Sequence, residues 1–184
     1  MKMTVRLAGM GGQGIIFAGI VLARAAALYE KQEGRSLYAI QTQSYGPAAR
    51  GESSKCDVVI SDAPDFYPFV LRPDFLVVMS QPAFDKYVEQ TYHGTIVLLD
   101  EDGVEGRPDL TYYAVDAIKR AKQLGKLEAA NMVMLGALVQ ISGAVSRDAG
   151  LRSILDMSPL GSAEVNETAF REGFAIGKSF QSDG

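Results

Sequence analysis

The first residues in the chain whose spacing points to chemistry are glycines. In "LAGMGGQGIIFAGIVLARAAALYE", Gly9, Gly11 and Gly14 stand at G-x-G-x-x-G spacing, with Gly12 and Gln13 among them. Where such a run joins a strand to a helix, the first glycine permits a tight bend. The second lets backbone approach a phosphate, and the third lets helix and strand pack closely. Free N–H groups and the dipole at the helix start then favour an anion. Gln13 can donate and accept at once, which suits it to hold a neighbouring loop or a ligand. A second polar set follows in "QTQSYGPAARGESSKCDVVISDAP", namely Gln43, Ser44, Tyr45, Gly46, Arg50 and Gly51. If this loop leaves the carboxyl end of a strand beside the glycine turn, Arg50, the Tyr45 hydroxyl and the helix start would grip a phosphate or carboxylate together. The competing roles are an inter-subunit ion pair for Arg50 and an interface plug for Tyr45.

A nicotinamide site would place Asp or Glu at the end of the second strand, about 20 residues past the turn. The chain has Gln41, Thr42 and Gln43 there, and Arg35 precedes the strand. No Gly-Lys-Ser/Thr stands at the required spacing from these glycines either, so a Walker loop is absent. An NAD(P)-binding protein and a purely structural turn remain the alternatives to an anion site. One cysteine and one histidine exclude a four-ligand zinc site, a cysteine-bound iron–sulfur cluster and an internal disulfide within this chain. Cys56 reads as a buried strand thiol. Ser61-Asp62 closes the same strand, where it would face the crevice or cap a turn.

The elements that must position these residues alternate. Strands are expected over 3–8, 36–42, 56–61, 74–79, 95–99 and 110–115, and helices over 14–30, 82–92, 117–124, 128–144, 147–155 and 163–180. "DFLVVMS" and "TIVLLD" are unbroken apolar runs, as in a parallel sheet covered on both faces. Ser80, Asp116 and Ser146 read as helix N-caps. The pattern predicts a single α/β domain over 1–184, Rossmann-like and three-layered, with an open, mostly parallel sheet and a helical C-terminal part. The first helix and "EAANMVMLGALVQISGAV" are apolar nearly all round, which raises the expectation of an oligomer. The chain has 184 residues, a net charge of −4 and scattered Lys and Arg, so it lacks an electrostatic footprint for nucleic acid or membrane. The uncharged stretches 7–23 and 129–146 contain Gly and amides and read as buried helices. "MKMTVRLA" is a poor signal peptide, and a cytoplasmic location is expected.

"GMGGQGIIFAG", "QTQSYGPAARGESS", "VVISDAP" and "NMVMLGAL", in that order, resemble the gamma subunit of 2-oxoacid:ferredoxin oxidoreductases, the 2-oxoglutarate type above all. The resemblance runs from Val5 to about Ser146. It departs at Glu52, where a second glycine is usual, and at "GKLEAAN", where Gly-Asn is usual. It implies a complex that converts a 2-oxoacid, coenzyme A and oxidised ferredoxin into acyl-CoA, carbon dioxide and reduced ferredoxin. It also implies thiamine diphosphate, Mg²⁺ and iron–sulfur clusters in other subunits, with alpha-, beta- and in some complexes delta-type partners. This chain would carry no catalytic residue and bind no cofactor alone. Gly9, Gly11, Gly12, Gln13, Gly14, Gln43, Ser44, Tyr45, Gly46, Arg50 and Gly51 would contact coenzyme A or a neighbouring subunit. The isolated chain is expected to be inactive, and a homodimer is the alternative assembly.

Overall fold

The computed structural model describes residues 1–44, 53–64 and 67–182. Six strands form where aliphatic and β-branched residues cluster: β1 (Lys2–Met10), β2 (Tyr38–Ser44), β3 (Ser53–Ser61), β4 (Phe75–Val78), β5 (Ile96–Asp100) and β6 (Tyr112–Val115). They make one sheet in the order β2-β3-β1-β4-β5-β6. The β1–β4, β4–β5 and β5–β6 pairs are parallel, whereas β3 is antiparallel to both β1 and β2. A parallel crossover needs a dozen or more residues. Residues 45–52 are too few, so the chain returns as an antiparallel neighbour.

This reversal settles two expectations. The slot beside β1 that a dinucleotide fold gives to its second parallel strand is filled here by β3, which brings Ser53 and Ser54 opposite Met10 and Gly9. Ser61 pairs with Lys2 at the far end of the sheet, and Asp62 makes an ion pair with the Met1 amino group. Ser61-Asp62 therefore does not face the crevice. A hydrophobic run predicts a strand but not its direction.

The helices are α1 (Ile15–Arg24), α2 (Gln81–Tyr87), α3 (Ala117–Gln123), α4 (Ala130–Ser142), α5 (Arg147–Met157) and α6 (Ala163–Ser182). α1 continues through a wider π-type turn (Ala25–Tyr29) and a tight 3-10 turn (Glu30–Glu33). Val5 and Leu7 of β1 join the larger core with α1, α3, α4, α5 and α6, and Ala8 joins the smaller core with α2. Three layers result, thick on one side of the sheet and thin on the other. On the thin side Arg6 is 1% exposed, yet its Nε donates to Asp57 Oδ1 at 2.7 Å and its Nη2 to Asp57 Oδ2 at 2.9 Å. Nη2 also donates to the Val70 carbonyl at 2.6 Å, and the guanidinium lies over the Tyr87 ring. A charge this buried is tolerated because its fork is matched by a bidentate partner.

Every residue from Ala130 to Val139 is buried by the chain's own elements. A Cβ at Gly136 would lie 2.1 Å from the Phe170 carbonyl oxygen, and one at Gly173 only 1.8 Å from that of Val133. The absence of side chains there lets α4 and α6 cross backbone against backbone. Ser146 caps α5 by accepting from the Ala149 N–H at 3.1 Å. Ser80 and Asp116 occupy cap positions without a side-chain cap bond, and Asp100 Oδ1 takes the Ile118 N–H of α3 at 2.9 Å instead.

Candidate functional site

β1 ends at Met10 and α1 starts at Ile15, so the glycines do form a strand-to-helix turn. Their individual roles differ from the pattern. Gly9 lies in β1, where a Cβ would meet Gln13 Oε1 at 2.5 Å and Ile15 Cδ1 at 2.8 Å. Gly12 and Gly14 have φ of 93° and 70°, left-handed values that an L side chain rarely adopts. Gly14 also faces Asn131 of α4, whose Nδ2 would stand 2.2 Å from a Cβ. Close approach of α1 to the sheet occurs a turn later, where Gly19 lies against Cys56 Sγ. At Gly11 a Cβ would meet nothing within 4 Å, and its backbone is not left-handed. Gly9 and Gly14 are thus filled from inside the protein, while Gly11 and Gly12 face open space.

Gln13 is tied inward. Its Oε1 accepts from the Met10 N–H at 2.7 Å, and its Nε2 donates to the Met79 carbonyl, just past β4, at 2.9 Å. β1 and β4 are the parallel pair beside the reversal, the place where open α/β sheets leave a crevice.

Two hollows flank the turn. The larger, of about 280 Å³, is lined by Gly12, Gly14, Phe17, Asn131, Lys126, Ser162 and neighbouring residues. The smaller, of about 210 Å³, lies against Gly12, Gln13, Met79, Ile118, Leu127 and Ala130. Glu128 borders both. In the larger hollow Lys126 Nζ donates to Ser162 Oγ, which holds the ammonium at the rim, and Asn131 Nδ2 donates to the Gly14 carbonyl at 3.0 Å. Asp100, which accepts the N–H of the lining residue Ile118, is fully buried, and burial pushes its carboxyl above the usual range. Helix-start N–H groups, an ammonium and amides suit an anionic ligand. Among the described residues no three His, Cys, Asp or Glu side chains gather where they would hold a metal ion. No described helix is long and apolar enough to cross a membrane.

The second polar set is placed only in part. Gln43 and Ser44 end β2 at the same edge as the turn, but β3 separates β2 from β1. Both are exposed, and neither lines the two hollows. Tyr45, Gly46, Arg50 and Gly51, with Glu52, lie outside the described residues. Sequence reasoning missed Lys126, Ser162 and Asn131 as neighbours of the turn. Asn131 carried a signal nonetheless, as an amide inside an otherwise apolar helix.

Residues 4–176 match the family profile described as pyruvate ferredoxin/flavodoxin oxidoreductase. The chain belongs to this family. It is 46% identical to the 2-oxoglutarate synthase subunit KorC of Methanocaldococcus jannaschii, over 97% of this chain and 95% of that protein. The keto/oxoacid ferredoxin oxidoreductase gamma subunit of Geobacter sulfurreducens superposes with a TM-score of 0.83 at 37% identity, covering 96% of this chain and 99% of that one. The chain is therefore a gamma-type member, as its motifs implied. The 2-oxoglutarate:ferredoxin oxidoreductase of Magnetococcus marinus, solved with 2-oxoglutarate, coenzyme A and succinyl-CoA, has the same fold at a TM-score of 0.83 and 22% identity. The match covers 97% of this chain but 31% of that polypeptide, so there the fold is one part of a longer chain.

Proposed function

We propose that this chain is the gamma subunit of a 2-oxoglutarate:ferredoxin oxidoreductase, and that its glycine turn helps to enclose coenzyme A. The complex takes 2-oxoglutarate, coenzyme A and two oxidised ferredoxins to succinyl-CoA, carbon dioxide, a proton and two reduced ferredoxins. In this reading thiamine diphosphate, Mg²⁺ and the iron–sulfur clusters belong to alpha-, beta- or delta-type companions in the cytoplasm. The gamma chain supplies surface rather than a reacting group. The half-buried stripe Ile16, Ile20 and Ala23 on α1 supports contact with a companion.

One observation carries the ligand half of this reading. Among the described residues Gly11 has no packing or backbone reason to be glycine, which favours a role in admitting something from outside. The Lys126 ammonium beside Gly12 and Gly14 suits the phosphates of coenzyme A. Arg50 and Tyr45 belong to the same proposal, as the loop that would close over the ligand.

The test is Gly11→Ala in the assembled complex. The variant is expected to unfold like the parent, because its methyl meets open space. Its KM for coenzyme A is expected to rise by roughly tenfold, as for an approach blocked by one methyl at a cost of about 1–3 kcal/mol. An unchanged KM would remove coenzyme A from the turn. Arg50→Ala, assayed alongside, distinguishes a ligand contact, seen as a raised KM, from an interface contact, seen as dissociation.

A further inference from the structure

Two side-chain amides reach the glycine turn from opposite sides, and neither has a role in the reaction scheme. Gln13 spans from the Met10 N–H at 2.7 Å to the Met79 carbonyl at 2.9 Å. Met79 in turn donates its N–H to the Ala8 carbonyl at 3.0 Å, so this side of the turn is tied to both β1 and the end of β4. On the other side Asn131 Nδ2 donates at 3.0 Å to the Gly14 carbonyl. That carbonyl also receives the Ala18 N–H at 3.0 Å, the first hydrogen bond of α1. Asn131 is buried on α4, and its amide occupies the space a Gly14 side chain would need. Between the two anchors, a Cβ at Gly11 or Gly12 would meet no atom of the described residues within 4 Å.

We propose that Gln13 and Asn131 are positioning residues that clamp the Gly11–Gly12 backbone in the shape that receives the ligand. A turn with two left-handed glycines is soft, because glycine visits many backbone states at little cost. Fixing it in advance removes an ordering cost from binding. Asn131 makes the turn's shape depend on the seating of α4, which is set in turn by the backbone crossing with α6. Both anchors require an N–H donor aimed at a carbonyl. The isosteric carboxylates cannot supply one at neutral pH, and they place charge against a carbonyl oxygen. Asn131→Asp and Gln13→Glu therefore change one hydrogen and one charge while keeping the shape. The inference rests on the reading of the turn as the coenzyme A site.

The experiment has two readouts. Hydrogen exchange of backbone amides 10–18 in the full, isolated chain reports the clamp. Steady-state kinetics of the complex reconstituted with its companions reports the ligand. Each variant is expected to speed exchange in 10–18, and to raise the KM for coenzyme A about three- to tenfold while leaving kcat at saturating coenzyme A unchanged. For Asn131→Asp the exchange difference from the parent is expected to close as pH falls, because the protonated carboxyl regains a donor for the Gly14 carbonyl. A variant with no structural coupling to the turn would show no such reversal. Exchange at the parent's rate in both variants overturns the clamp, whatever happens to KM. Faster exchange with an unmoved KM leaves the clamp standing and overturns the coenzyme A reading beneath it. Gln13 is only half-buried, so Gln13→Glu keeps the test open if Asn131→Asp fails to fold.

Discussion

From Ala130 to Val139 every residue of α4 is buried, whereas α1 leaves Ile16, Phe17, Ile20 and Ala23 half-buried. In the continuation of α1, Ala27 is exposed and Leu28 is 49% exposed. Both helices are apolar nearly all round in sequence, so the difference lies in what surrounds them. α4 is enclosed by α1, α3, α5, α6 and the sheet. α1 has the sheet on one side, and its outer stripe runs past the edge strand β2, where Ile20, Ala23, Ala27 and Leu28 meet Ala39 and Gln41 in a shallow hollow. All-round apolarity alone thus says nothing about partners. α4 satisfies it internally, whereas α1 keeps an apolar stripe at helical spacing (16, 20, 23, 27) that the described residues cover only in part.

The largest effect that would sharpen this contrast is Gly173→Ala. Its methyl would lie 1.8 Å from the Val133 carbonyl oxygen, so two helix backbones must separate to admit it. Loss of about 3 kcal/mol or more is expected in denaturant unfolding, at the upper end for overpacking. A loss below about 1 kcal/mol would mean that α4 and α6 are not locked together, and that the burial of α4 is looser than described. The inner side of α1 offers the next test. Cys56 of β3 is fully buried under Gly19, and burial pushes its thiol up to about 11, against a hydrogen bond from Gln41 Nε2 at 3.1 Å that favours the thiolate. In the unfolded chain the same thiol ionises near its ordinary value of 9.0. Between these values the unfolded state has lost a proton that the folded state keeps. Stability from this group is therefore complete below about pH 9 and falls by about 2–3 kcal/mol as pH rises through 11. Cys56→Ser, titrated alongside, is expected to flatten that segment of the stability curve. Parallel curves would show that α1 does not seal the thiol.

The six strands and six helices were legible because each carries its own period of apolar residues between Gly, Pro and cap residues. The direction of β3 was not legible, because strands read as 36–42 and 56–61 leave a connection long enough for a crossover. β2 in fact runs on to Ser44, and β3 starts at Ser53. Residues 45–52 are too short for a crossover, and that constraint displaces the second strand from the side of the turn. Gly12 and Gly14 announced a turn, but the sequence assigned Gly14 to helix–strand packing, whereas its contact is Asn131, far along the chain. Lys126 and Ser162 were invisible as site residues for the same reason. They lie in connections between helices, and only the packing of α4 and α6 on the sheet carries them to the turn. Asp116 stands at the cap position of α3 as its sequence implied, but makes no side-chain cap bond, and Asp100, at the end of β5, takes the Ile118 N–H from another element. Local chemistry is written locally, and the partners that complete it are set by topology.

The smallest expected effect on stability is also the one that separates α1 from α4. Ile20 is half-buried on the outer stripe, and the stem of a lysine there can lie along the helix while its ammonium reaches water. Ile20→Lys is expected to cost the isolated chain no more than about 1 kcal/mol. In the complex the same ammonium would have to be desolvated without a counter-charge, which is far costlier when the stripe is covered by a companion. Native co-purification is therefore expected to lose the companion subunits while the unfolding midpoint scarcely moves. Intact assembly in the presence of this lysine would mean that the stripe faces solvent in the complex. The apolar surface of α1 would then be as uninformative about partners as that of α4.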